Sequence, residues 1–72
     1  ELYGLQVPEA WVGRTLGALV AGIPCSPVSL THGGRATLPD AERVLNAGDI
    51  VHVTATLEGA GLLGRRLEGT EA

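Results

Sequence analysis

The chain predicts one small α+β domain, β-α-β-β-β-α in order, with a mostly antiparallel sheet and helices on one side. Three observations carry that prediction. Gly33-Gly34 separates two short alternating runs, as a tight hairpin does. Gly48-Asp49 launches the longest alternating run, which begins at Ile50. Val12, Leu16, Leu19 and Val20 form an apolar stripe at helical spacing, and Gly22 follows where a helix stops.

The elements follow in order. Leu2 to Val7 alternates, with Tyr3, Leu5 and Val7 on the apolar face of a half-buried strand. Pro8 ends it, because proline offers no N–H to a ladder. The stripe predicts a helix from about Gly13 to Ala21. Pro24 and Pro27 forbid a regular central strand, so residues 23–27 read as an extended lead-in or an edge. Val28 to Thr31 is a strand with Val28 and Leu30 inward and Ser29 and Thr31 outward. His32-Gly33-Gly34-Arg35 forms the hairpin, since a type I′ turn needs positive φ at both centres. Arg35 to Leu38 returns with Ala36 and Leu38 on one face. Pro39-Asp40 opens a short helical turn through Leu45, with Asp40 as its N-cap. Gly48 takes the left-handed conformation that stops it. Ile50 to Leu57 places Val51, Val53, Ala55 and Leu57 on one face and Ile50, His52, Thr54 and Thr56 on the other. A weak helix, about Ala60 to Leu67, comes last. Leu63 and Leu67 lie one turn apart, and its two glycines each cost about 1 kcal/mol relative to Ala.

Seventy-two residues bound the answer to one domain with a thin core. Cys25 is the only cysteine, so no internal disulfide can staple it, and a single thiol fits a reducing compartment. A partner chain is the expected source of further stability. Net charge is −3 and the five basic residues, all Arg, are scattered apart from Arg65-Arg66. That argues against nucleic-acid binding, which needs a basic patch to neutralise phosphates. No apolar run approaches the roughly 18 residues of a membrane span, and the first residues lack the basic and apolar regions of a signal peptide. A start on Glu1 instead of Met marks the chain as a fragment of a longer protein. The domain is expected in the cytoplasm.

Chemistry-bearing residues are sparse. Gly59-Ala60-Gly61-Leu62-Leu63-Gly64 matches the dinucleotide fingerprint after a strand and at a helix start. Too few residues follow for a second parallel strand or for the acidic residue about 20 positions on that contacts ribose. A chance glycine cluster in a terminal helix is the better reading. Cys25 has no base obviously placed to activate it, so it reads as a structural thiol. Cys25, His32 and His52 lack a recognised metal-ligand spacing. Asp40 and Asp49 read as a cap and a turn residue bonded to nearby N–H groups, and Arg65-Arg66 as a solvated helix face. These features point away from an enzyme, and no metal or catalytic residue is expected.

Three motifs in order resemble the C-terminal domain of regulators of potassium conductance, the RCK_C or TrkA_C family. Pro8-Glu9-Ala10-Trp11-Val12-Gly13-Arg14-Thr15-Leu16-Gly17-Ala18-Leu19 resembles the family's lead-in to its first helix. Val28-Ser29-Leu30-Thr31-His32-Gly33-Gly34, then Arg35 to Pro39, resembles its hairpin. Leu45-Asn46-Ala47-Gly48-Asp49-Ile50-Val51-His52-Val53 resembles its last strand. The resemblance spans about Leu2 to Leu67.

It implies a non-enzymatic, bacterial, cytoplasmic regulatory domain, held at the inner face of the membrane through its parent protein. The implied partners are a second copy of the chain and a potassium channel, transporter or antiporter subunit, with a Rossmann domain preceding it in the parent chain. The implied ligand is cyclic di-AMP or another small nucleotide, held between two copies. Val28, Leu30, His32, Arg35 and Pro39 would line that cleft. His32 stands where family members often carry Arg. A dimerisation module without a ligand is the alternative.

Overall fold

The computed structural model describes residues 1–69. Its elements are β1 (Leu2–Gln6), a 3₁₀ turn (Glu9–Trp11), α1 (Leu16–Val20), β2 (Cys25–His32), β3 (Arg35–Thr37), β4 (Ile50–Ala55) and α2 (Leu57–Glu68). The four strands make one antiparallel sheet in the order β1-β4-β2-β3. The predicted α+β order holds.

One sheet face carries the core. Leu30, Val51, Val53 and Ala55 pack against Leu16, Leu19 and Leu63 of the helices. Trp11, Val7, Ile23 and Leu45 close its margins. Val51 and Val53 are fully buried, as strict alternation in β4 requires. Gly33 and Gly34 have φ of +58° and +80°, the double positive value of the type I′ hairpin.

Several boundaries differ from the sequence prediction. Gly13 sits at φ +88° and Thr15 is the true N-cap of α1, its Oγ1 accepting from the Ala18 N–H at 3.2 Å. The helix is therefore only five residues long. Its lead-in instead pairs with the later loop. Gly13 and Leu16 N–H donate to Leu45 and Arg43 carbonyls, and Leu45 N–H donates to Arg14. Val12 lies outside the stripe and is exposed. The turn predicted after Pro39 is one hydrogen-bonded turn, Arg43 N–H to Asp40 C=O, and not a helix. Asp40 Oδ1 still caps it by accepting from Glu42 N–H at 2.9 Å.

Strand β2 starts earlier than expected, at Cys25, and carries Pro27. Backbone bonds from Glu1 and Val7 fix odd-numbered residues of β4 toward β1. Alternation then turns Ser26, Ser29 and Thr31 toward β4 and the Pro27 nitrogen toward the side that β3 does not reach. A missing donor costs nothing there. The register shifts between Pro27 and Ser29, a bulge that leaves Val28 unpaired and 45% exposed. Val28 was expected inward; the extra bulge residue turns it out. Ala36 and Leu38 share one face, as expected, and it is the outer one. Thr37 faces inward opposite Leu30, and Leu38 is 86% exposed. Leu57 does not extend β4. Thr56 caps α2 by accepting from the Gly59 N–H, which makes Leu57 its first residue. Gly69 closes α2 at φ +76°, donating to the Arg65 and Arg66 carbonyls.

Candidate functional site

The hairpin and the start of β4 meet at a histidine–carboxylate contact. Asn46 to Asp49 is a turn closed by Asp49 N–H to Asn46 C=O, and Gly48 supplies the positive φ (+80°) at its third position. Asp49 is buried, 1% exposed. Its Oδ2 accepts from the Asn46 N–H at 2.9 Å, as expected of a turn aspartate. Its Oδ1 lies 2.6 Å from His32 Nδ1. The His32 side chain is half exposed, so the imidazole bridges a buried carboxylate and the surface. A neutral ring donates from Nδ1 and leaves Nε2 as an outward acceptor; a protonated ring donates from both. Arg35 is the cross-strand partner of His32 and is exposed. Sequence reasoning missed the His32–Asp49 pair. The Gly48-Asp49 strand start, in register just beyond Thr31↔Ile50, is the signal that could have found it.

A second feature lies beyond the short β3. Leu16, Gly17, Val20, Pro27, Pro39 and Ala41 line an apolar cleft of about 340 Å³. It opens along the half of β2 that has no β3 partner, beside the Val28 bulge. Gly17 holds one wall tight. Its N–H donates to Ala41 C=O at 2.8 Å, and a Cβ would come within 2.9 Å of that oxygen.

The five residues singled out from the sequence therefore divide. His32 and Arg35 pair across the hairpin. Pro39 lines the apolar cleft, and Val28 lies next to its Pro27 wall. Leu30 is fully buried in the core, backbone included, and its carbonyl already accepts from Thr37 Oγ1 at 3.0 Å.

The remaining chemistry-bearing groups are dispersed. Cys25 packs against the core at the opposite end of β2 from His32. Burial pushes its thiol above the ordinary cysteine range, and the Arg66 charge pulls it partly back. His52 lies on the outer sheet face, its Nδ1 3.5 Å from Ser29 Oγ and its ring beside Gly4. Among the described residues, no group of three or more His, Cys, Asp or Glu is placed to hold a metal. No described helix is long and apolar enough to cross a membrane. The fingerprint-like glycines are inside α2, and Gly59 has a packing reason: a Cβ there would collide with the Pro24 carbonyl.

No curated protein and no solved structure matches the chain. A family model, that of the TrkA-C domain, matches residues 3–68. That span runs from β1 to the last residue of α2 and includes the hairpin, the His32–Asp49 pair and the apolar cleft. With the motifs, the fold and this match in agreement, the chain belongs to the TrkA-C domain family, regulatory domains of potassium transport systems.

Proposed function

We propose that this chain is the cytoplasmic, ligand-sensing and dimerising regulatory domain of a bacterial potassium or other cation channel, transporter or antiporter, and that it performs no catalysis. The ligand is cyclic di-AMP or another small nucleotide, bound between two copies. The observation that carries the reading is that β2 bears an apolar cleft at Pro27 and Pro39 and, at its hairpin end, the polar groups of His32 and Arg35. The cleft wall at Pro27 and Pro39 offers a surface for a base. Arg35 offers donors for phosphate oxygens, and His32, aimed by Asp49, offers one from Nε2 in its protonated form. Regulation is a population shift: a ligand that prefers one arrangement of two domains biases the transporter attached to them.

Thermal unfolding with cyclic dinucleotides, mononucleotides and divalent cations tests this. A cyclic dinucleotide at about 100 times its Kd should add roughly 2.7 kcal/mol of stability and raise Tm by several degrees. One specific observation favours a second reading, a dimerisation module without a ligand: Nδ1 of His32 is already committed to Asp49. A flat response across the panel from a protein that is dimeric by light scattering would select that module.

A further inference from the structure

The His32–Asp49 contact fixes where a hydrogen sits. Asp49 is 1% exposed, and both of its oxygens are engaged: Oδ2 accepts from the Asn46 N–H at 2.9 Å, and Oδ1 lies 2.6 Å from His32 Nδ1. A carboxylate has no hydrogen to offer, so Nδ1 carries one in both charge states of the ring. The tautomer choice open to a free imidazole is gone. Nε2, on the outer side of a half-exposed ring, is the nitrogen that changes on titration.

That gives Nε2 two opposite characters. In the neutral ring it is a lone pair, which repels a phosphate oxygen. In the protonated ring it is an N–H sharing a positive charge, a donor to the same oxygen. Arg35 lies directly across the hairpin, and alternation puts both side chains on the face that carries Leu30 and Thr37. The charged groups about the ring are thus Arg35 from β3 and Asp49 from the lead-in to β4. Strand β2 adds no ionisable group except Cys25, at its far end. An arginine stays charged throughout, so the donor that switches at the hairpin is His32.

We infer that the hairpin site is proton-linked: Nε2 bonds a phosphodiester anion only when His32 is protonated, and binding draws one proton onto each His32 that meets a phosphate. Neutral Nε2 opposes the anion and protonated Nε2 holds it, so affinity rises as pH falls. By linkage, the bound anion favours the protonated ring to the same degree. The domain then reads two conditions together, a nucleotide and acidity, and its nucleotide response fades as the surroundings turn alkaline. The inference deepens the ligand reading proposed above and rests on it.

The test is titration calorimetry of the 72-residue chain with cyclic di-AMP, in buffers of different ionisation enthalpy, at about pH 6 and about pH 8.5, either side of the range where histidines change charge. The phosphodiesters and adenines of this probe keep one charge state over that range. Wild-type Kd should rise about tenfold or more at the higher pH, the loss of one charge-assisted bond, and the heat should depend on buffer as protons are taken up. His32→Arg supplies a donor at every pH. It should bind at the higher pH about as tightly as wild type does at the lower, with no proton uptake. His52→Gln, on the outer sheet face, should keep the wild-type profile. Nitrogen NMR of the ligand-free wild-type chain at the higher pH should find the His32 hydrogen on Nδ1. A hydrogen on Nε2 overturns the proton link, as does a pH dependence that persists in His32→Arg. Binding that is equally tight at both pH values overturns the link and leaves the ligand reading standing. Absence of binding by wild type and His32→Arg at either pH overturns the ligand reading, and the link with it.

Discussion

Two corners of this domain are each pinned by a side chain of high charge, and they differ in what remains free. At the hairpin, the buried Asp49 is saturated by His32 Nδ1 and the Asn46 N–H, while the far side of the His32 ring faces outward. At the other corner, Arg66 Nη1 donates to the Leu19 and Ala21 carbonyls at 3.0 and 2.7 Å, closing the exposed end of α1. The Arg66 carbonyl in turn accepts from Trp11 Nε1 at 3.2 Å, and Arg14 stacks over the Trp11 ring at 4.0 Å. This second corner ties the 3₁₀ turn, α1 and α2 together. The same device, a charged group satisfying polar partners, fastens both corners, but only the hairpin leaves a ring edge facing outward. The difference lies in which side of the contact is buried: the carboxylate itself at the hairpin, and only the Leu19 side at the helices, since Ala21 is exposed.

Three substitutions probe that contrast. Asp49→Ala should have the largest effect, a loss of about 2–3 kcal/mol, because it removes the two bonds by which one buried carboxylate ties the Asn46 turn to His32. Urea unfolding at fixed pH measures it. A loss under about 0.5 kcal/mol would show that the hairpin corner is not a fastening at all. Arg66→Leu keeps the aliphatic packing and removes the bonds to the end of α1, costing about 1–2 kcal/mol. If it costs more than Asp49→Ala, the ranking of the two corners reverses. Trp11→Phe should be the mildest, about 0.5–1.5 kcal/mol, for one hydrogen bond and part of a stacked pair. It should leave any nucleotide response untouched, and a ligand shift that disappears in this variant would move the recognition surface to the helical corner.

The sequence was most legible where one residue type has one physical use. Gly33-Gly34, Gly22 and Gly48 all take positive φ at turns or stops, as predicted. The alternation of Val51, Val53 and Ala55 gave β4 its correct face. Errors arose where a distant segment supplied the decisive bond. Gly13 and Arg14 read as helix, but the carbonyl and N–H of Leu45 tie them to the later loop, with Gly13 in a left-handed turn conformation. Val28 read as inward because period-2 counting has no provision for the bulge at Pro27. Leu57 read as strand, although Thr56 ahead of Leu57-Glu58 is a helix-start pattern that could have been weighed. For the candidate site, His32, Arg35 and Pro39 could be named from the sequence, but not the carboxylate bonded to His32, since pairing across 17 positions is not a local property.

The order of strands has a consequence for synthesis. β4 is the one strand that touches both β1 and β2, yet it is the last strand to be made. Until residues 50–55 leave the ribosome, β1 has no neighbour and the β2–β3 hairpin has nothing to lie against. Leu63, which seals the core, emerges later still. The nascent chain therefore has no stable halfway structure to rest in, and folding waits for nearly its full length. A chain cut short before β4 would expose every apolar residue of the other elements at once, a state suited to rapid disposal by proteases.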